Sequence, residues 1–199
     1  MDILRYPQFP AHLSAVYVAL FSEVNNAAAL RSRIVKAASI PGAEGDAERE
    51  AVNFAFIDAR LITSYLHLQT AIYQAILAAS QDGLRTKTVH SEILWALNPT
   101  NNITEAIRRY GVSDTSGTLL VVHVASPDVA DVQSKMAAVS SGSISPLSAL
   151  GKTTDLASVK KHYKLNTEPA VIEAAGNPEL ERAIIDNIVV SSVAMKSVM

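Results

Sequence analysis

The eight residues TLLVVHVA, Thr118–Ala125, decide the fold. Only Thr118 and His123 interrupt an apolar run that is rich in β-branched Val and short for a helix, the profile of a strand buried in a sheet. LSAVYVALF, Leu13–Phe21, has the same profile, and FAFID, Phe54–Asp58, makes a third, shorter strand. LRTKT, Leu84–Thr88, is expected to be a strand too, with Arg85 and Lys87 on one face. Helices fall between these runs. Asn25 or Asn26 caps a helix over 27–38. Leu61–Ala79 forms a long helix closed by Gln81-Asp82-Gly83, and Ser91–Leu97 a short one stopped by Pro99. Asn102, with Glu105 three residues on, starts the helix Ile103–Tyr110, and Gly111 ends it. Ser126-Pro127 opens another helix, Asp155–Tyr163 is short and basic, and Asn177-Pro178 opens a last helix reaching Val193. This alternation predicts one α/β (α+β) domain over 1–199, with a mixed, mostly antiparallel central sheet flanked by helices. Two stretches are expected to lack regular structure. Ile40–Glu50, rich in Pro, Gly and charge, is a flexible insert, and Ser140–Ser148 is a Ser-rich loop.

Composition narrows the function. The chain has 199 residues and no cysteine, so disulfides and thiolate metal sites are excluded. A reducing compartment, nucleus or cytoplasm, is expected. Seventeen Lys and Arg against nineteen Asp and Glu give a formal charge of −2, which excludes a globally basic nucleic-acid coat. Hydrophobic residues make up 49% of the chain and charged ones only 18%. An average soluble domain carries about a quarter charged residues, so this balance implies surface covered by a partner. The start MDILRYPQFPAH contains Asp2 and no uninterrupted apolar stretch, and no signal peptide is expected. Leu61–Gln81 lacks charge but carries Thr63, Ser64, His67, Gln69, Thr70 and Gln74, which is too polar for a membrane span.

The usual catalytic signatures are missing from the sequence. The five histidines show no paired metal-ligand spacing, and His123 reads as a core histidine with a hydrogen-bond partner. No G-x-S-x-G, Walker A or G-x-G-x-x-G occurs. The expectation is a protein that is not an enzyme, with no catalytic residue, metal or cofactor.

Two features point to binding instead. The helices over Leu61–Ala79 and 178–193 are apolar nearly all round, so each needs cover on two sides. One cover is the sheet; the second is another helix of the same domain or another protein. Leu61, Tyr65 and Ile72 on the first helix, and Ile185, Val189 and Val193 on the second, are candidate partner-facing positions. The other feature is the segment Leu84–Gly111. Arg85, Lys87, Arg108 and Arg109 oppose Glu92 and Glu105 there, a balance of +2 that leaves −4 on the rest of the chain. A basic locus on an acidic body suits a local phosphate contact. The amides of Asn98, Asn101 and Asn102 suit base edges, and Trp95 and Tyr110 offer stacking faces. The same residues also suit helix caps, turns and core.

That segment carries a resemblance. RTKTVHSEILWALNPTNNITEAIRRYGV, Arg85–Val112, resembles the signature block of the PRPK-binding protein family, with its Thr-rich lead, S-E, L-x-P-x-N-N-I-x-E/D-A and F/Y-G-I/V. PQFP with VYVALFSEVNNAAALRSRI (7–34), FAFIDARLI, VKKHYKL (Val159–Leu165) and LERAIIDNIV are similar to other family segments in the same order. The resemblance implies a sheet-and-helix domain that serves as a non-catalytic subunit of the EKC/KEOPS complex. That assembly makes threonylcarbamoyladenosine beside the anticodon of tRNAs reading codons that start with A. The threonylcarbamoyl transferase is another subunit. The family protein binds and stimulates the PRPK-type atypical kinase and is associated with the tRNA 3′ CCA tail, and in fungi with telomere maintenance and transcription. On this reading Arg85, Lys87, Asn98, Asn101 and Asn102 hold the tRNA end, and Arg108 and Arg109 contact phosphate. Leu61, Tyr65, Ile72, Ile185, Val189 and Val193 dock the kinase. The alternative is a protein-interaction module that never touches RNA.

Overall fold

TLLVVHVA is a strand from end to end. In the computed structural model, which describes residues 1–198, the strands in chain order are β1 (Asp2–Arg5), β2 (Ala15–Ser22), β3 (Ala55–Asp58), β4 (Thr118–Ala125) and β5 (Ser143–Ser145). The two long strands pair over eight residues, from Ala15 opposite Ala125 to Ser22 opposite Thr118. The sheet order is β1-β2-β4-β3, with β5 also on β2. Pairing with β1 uses Ala15–Val18 and pairing with β5 uses Leu20–Ser22, so both short strands share one margin of β2. Every one of these pairings is antiparallel, in keeping with the mostly antiparallel, helix-flanked sheet expected from the sequence.

Side chains alternate across the pleat and both faces are buried. Val16, Val18, Leu20, Leu120, Val122 and Val124 face one core; Tyr17, Ala19, Phe21, Leu119 and Val121 face another. Helices cover both, which is why β2 and β4 read as unbroken apolar runs. α1 (Ala27–Ala37) and α6 (Val132–Val139) close the second core through Leu30, Val132, Met136 and Val139. α3 (Tyr65–Ser80), α4 (Val89–Leu97), α7 (Leu156–His162), α8 (Pro169–Glu173) and α9 (Pro178–Ala194) close the first; α2 (Gly42–Ala51) and α5 (Ile103–Tyr110) complete the chain.

Local sequence signals set several of these ends. Ser64 caps α3, Thr88 caps α4, Asn102 caps α5 and Asn177 caps α9, each through a side-chain oxygen that accepts a helix N–H. Gly111 ends α5 for a steric reason: a Cβ there would lie 2.4 Å from the Ile107 carbonyl oxygen. Other expectations fail. Ile40–Glu50 is not a loose insert but mostly α2, tied back by Arg33 to Glu48 at 2.5 Å and by Arg49 to the Ala37 and Ile40 carbonyls. The Ser-rich loop contains β5. Ser126-Pro127 does not start a helix; α6 begins six residues later, after Asp131 in a left-handed conformation. Leu61 belongs to a 3₁₀ turn at Ala59–Leu61, ahead of α3. No described helix is long and apolar enough to cross a membrane.

Candidate functional site

The segment Leu84–Thr88 is not a strand. Glu92, in the first turn of α4, reaches back to it. One carboxylate oxygen, Oε2, accepts from the Arg85 N–H (3.0 Å), the Thr86 N–H (2.8 Å) and the Thr86 hydroxyl (2.7 Å). Backbone donors that a sheet would use are thus spent on one side chain. The bend lays Arg85 along an open groove of about 590 Å³ between α3, α4, the start of α5 and the turn after α9. Gln74, Gln81, Glu92, Trp95, Asn101, Ile103 and Lys196 line it.

The turn between α4 and α5 forms the groove's end. Asn98 is fully buried, and its amide nitrogen donates to the Thr100 carbonyl (3.1 Å) and the Thr100 hydroxyl (2.9 Å). Thr100 Oγ1 in turn donates to Glu105 Oε2 at 2.5 Å. Lys196 enters from the far end of the chain. Its ammonium donates to the Asn98 carbonyl and, at 2.6 Å, to the Thr100 carbonyl, and stands 4.5 Å from the centre of the Trp95 ring. Burial pushes the Lys196 ammonium down to about 8, while the Glu92 charge acts the other way. Three polar atoms around this turn are buried without a protein partner: Glu92 Oε1, Trp95 Nε1 and Asn98 Oδ1.

The residues predicted to bind nucleic acid separate into groups. Arg85 and Asn101 line the groove beside Trp95. Lys87 is exposed outside its lining. Asn98 corrects the expectation: it is buried and its amide nitrogen is committed to its own turn, which leaves no exposed amide donor for a ligand. Asn102 serves as a cap, its Oδ1 accepting the Glu105 N–H at 3.0 Å. Arg108 and Arg109 lie at the other end of α5, which is about 12 Å long at 1.5 Å per residue. Arg109 pairs with Glu105 at 2.5 Å, whereas Arg108 is exposed with no ion pair among the described residues. Tyr110 is fully buried, so it offers no stacking face. The sequence reading missed Lys196, Gln74 and Gln81. A lone lysine after a long apolar helix was the available signal for the first.

The predicted partner-facing residues need a larger correction. Leu61, Ile72, Ile185, Val189 and Val193 are buried in the core beneath the sheet. α3 and α9 cover one another, and Thr63 Oγ1 donates to Asp186 Oδ1 at 2.6 Å to fasten them. The second cover these helices require is therefore largely internal. Tyr65 is half-buried, and burial pushes its hydroxyl up to about 12. What α3 leaves exposed is a different row, Leu66 (56%) and Tyr73 (39%). Tyr73 meets Tyr6 and Phe9 edge-on, at centroid distances of 5.8 and 5.5 Å. Among the described residues no group of His, Asp and Glu is arranged to hold a metal ion.

The profile of the kinase binding protein CGI-121 family matches residues 21–197, which takes in both the groove and the exposed row of α3. The chain belongs to the CGI-121 family. Fungal members similar to it span its length. The EKC/KEOPS complex subunit CGI121 of Cryptococcus neoformans var. neoformans serotype D (strain JEC21) is 34% identical, with 100% of each chain covered. The subunits of Aspergillus fumigatus and Neurospora crassa, carrying the same description, are 35% and 32% identical. They cover 84% and 91% of this chain, and 85% and 91% of their own lengths are matched.

Proposed function

We propose that this CGI-121 family chain is a non-catalytic EKC/KEOPS subunit that joins the complex's kinase to tRNA bound for threonylcarbamoyladenosine modification. The groove beside Trp95 carries this reading. It combines an aromatic face, two cations (Arg85 and Lys196) and an exposed amide (Asn101) on a chain whose net charge is −2. Stacking and local cations together suit a single-stranded tail, because RNA is recognised mostly where its bases are unstacked. The tRNA 3′ CCA end is such a tail. The exposed row Leu66 and Tyr73, with Phe9 and Tyr6, is the surface assigned to the kinase. Holding both partners raises the effective concentration of tRNA at the distant transferase without new chemistry. A nuclear and cytoplasmic protein is the corresponding expectation.

Gel shifts with tRNA, with and without its CCA end, test the reading. The intact tRNA should bind more tightly, and Arg85→Glu with Lys87→Glu should weaken binding and flatten its dependence on salt. Equal affinity for both tRNAs together with an unchanged salt slope would leave a protein-interaction module, in which Asn98 and Asn102 serve only the turn and the cap they are seen to form.

A further inference from the structure

We infer that Glu92 reads a nucleobase: its free oxygen accepts the exocyclic amino group of a cytosine or adenine at a single-stranded RNA 3′ end. This rests on the RNA reading above and deepens it. Glu92 is 1% exposed, yet only Oε2 is bonded to protein. Its three donors, from Arg85 and Thr86, fix the carboxylate and leave Oε1 as a rigid acceptor without a protein partner. Buried polar oxygens almost always accept a hydrogen bond, and a buried carboxylate oxygen that does not is a place for a ligand's donor.

Trp95 supplies the second half. It stands three residues on, so its side chain shares a helix face with Glu92, and both line the groove. Its indole N–H is also buried without a protein partner. A carboxylate oxygen and an N–H on one helix face of the groove complement a base that presents an amino donor next to an acceptor. On the Watson–Crick edge cytosine and adenine do so at C4 and C6; there uracil and guanine carry a carbonyl oxygen instead, which would meet the carboxylate with a second acceptor. Every base of a CCA end carries the amine. In the free chain both groups are screened from solvent, and the Lys196 ammonium covers the Trp95 ring. An entering base takes over that ring face, and the displaced ammonium remains close to the incoming phosphates.

The test is filter binding of the full chain, at one fixed salt concentration, to two short single-stranded RNAs that differ only in their last three bases, CCA against UUG. The wild type should prefer CCA by about tenfold, the size of one well-placed base contact. Glu92→Gln keeps an oxygen for the Arg85 and Thr86 donors and turns an amide nitrogen toward the groove, so it should shift the preference toward UUG. Equal binding of the two RNAs by the wild type would overturn the base-reading role while leaving RNA binding intact. Binding of neither would overturn the RNA reading beneath it. A preference unchanged in Glu92→Gln would remove Glu92 from the role. Should that variant fail to fold, Trp95→Phe takes its place, keeping a stacking face without the N–H: a narrowed preference supports the pairing and an unchanged one overturns it.

Discussion

At the residue scale the buried histidines govern how the protein meets acid. His90 is locked neutral by geometry. Its Nε2 accepts the Val124 N–H at 2.9 Å, so its Nδ1–H donates to Asn53 Oδ1 at 2.8 Å. It stacks on His123, whose Nδ1–H donates to the Asn53 carbonyl at 3.1 Å. His67 accepts the Thr63 N–H. Burial pushes both His67 and His90 down to about 3. An unfolded imidazole takes its proton near 6.5, so between these values the unfolded chain binds more protons than the folded one. The histidines' contribution to stability is therefore complete above about pH 6.5 and is lost as pH falls, by about 1.4 kcal/mol per pH unit for each. Urea midpoints at pH 7 and pH 5 should show the drop. His67→Gln, which still accepts from Thr63 and does not titrate, should remove about half of it. A pH slope identical to wild type would show that His67 titrates alike in both states. The role of His123 in the core could be read from its strand; its stacking partner could not, because His90 lies on a helix 33 residues earlier in the chain.

At the element scale the sequence was most legible where structure depends on near neighbours. The strands β2, β3 and β4 and the caps at Asn102 and Asn177 are written in contiguous residues, and the structure keeps them. Elements fixed by distant partners were misread or missed. β1 and β5 are strands because β2 offers them pairing, and Leu84–Thr88 is not one because Glu92 captures its amides. α2 forms in a Gly-containing stretch because Arg33 and Arg49 anchor it to α1. The groove divides the same way: Trp95 and Arg85 were visible, whereas Lys196 joins them from more than a hundred residues away. α9 shows the largest such effect, since its apolar girth serves α3 and α8 within the core. Ile185, fully buried, should cost about 2–5 kcal/mol when changed to Ala, read from urea unfolding followed by circular dichroism. A cost under about half a kcal/mol, the range of surface positions, would mean that α9 is loosely held.

At the scale of the whole molecule, α3 links the two proposed surfaces. Leu66 lies in its first turn and Tyr73 near its middle, and Gln74, Ala75, Leu77 and Ala78 of the groove follow directly. The helix spans about 24 Å at 1.5 Å per residue, so kinase and RNA would be read by successive stretches of one rigid rod. Leu66→Glu should abolish co-purification with the kinase while leaving thermal stability within about half a kcal/mol of wild type, as surface changes do. Retained kinase would place that partner elsewhere. The sheet's arrangement has a consequence for solubility. β2 and β4 combine high β-propensity with almost no charge, the recipe for fibril-forming segments. Both lie inside the sheet, and the strands at its margins are at most four residues long. Amyloid templating by TLLVVHVA therefore has no foothold on the native surface; it must wait for the molecule to come apart as a whole, and precipitation on heating should track global melting rather than fraying of either edge.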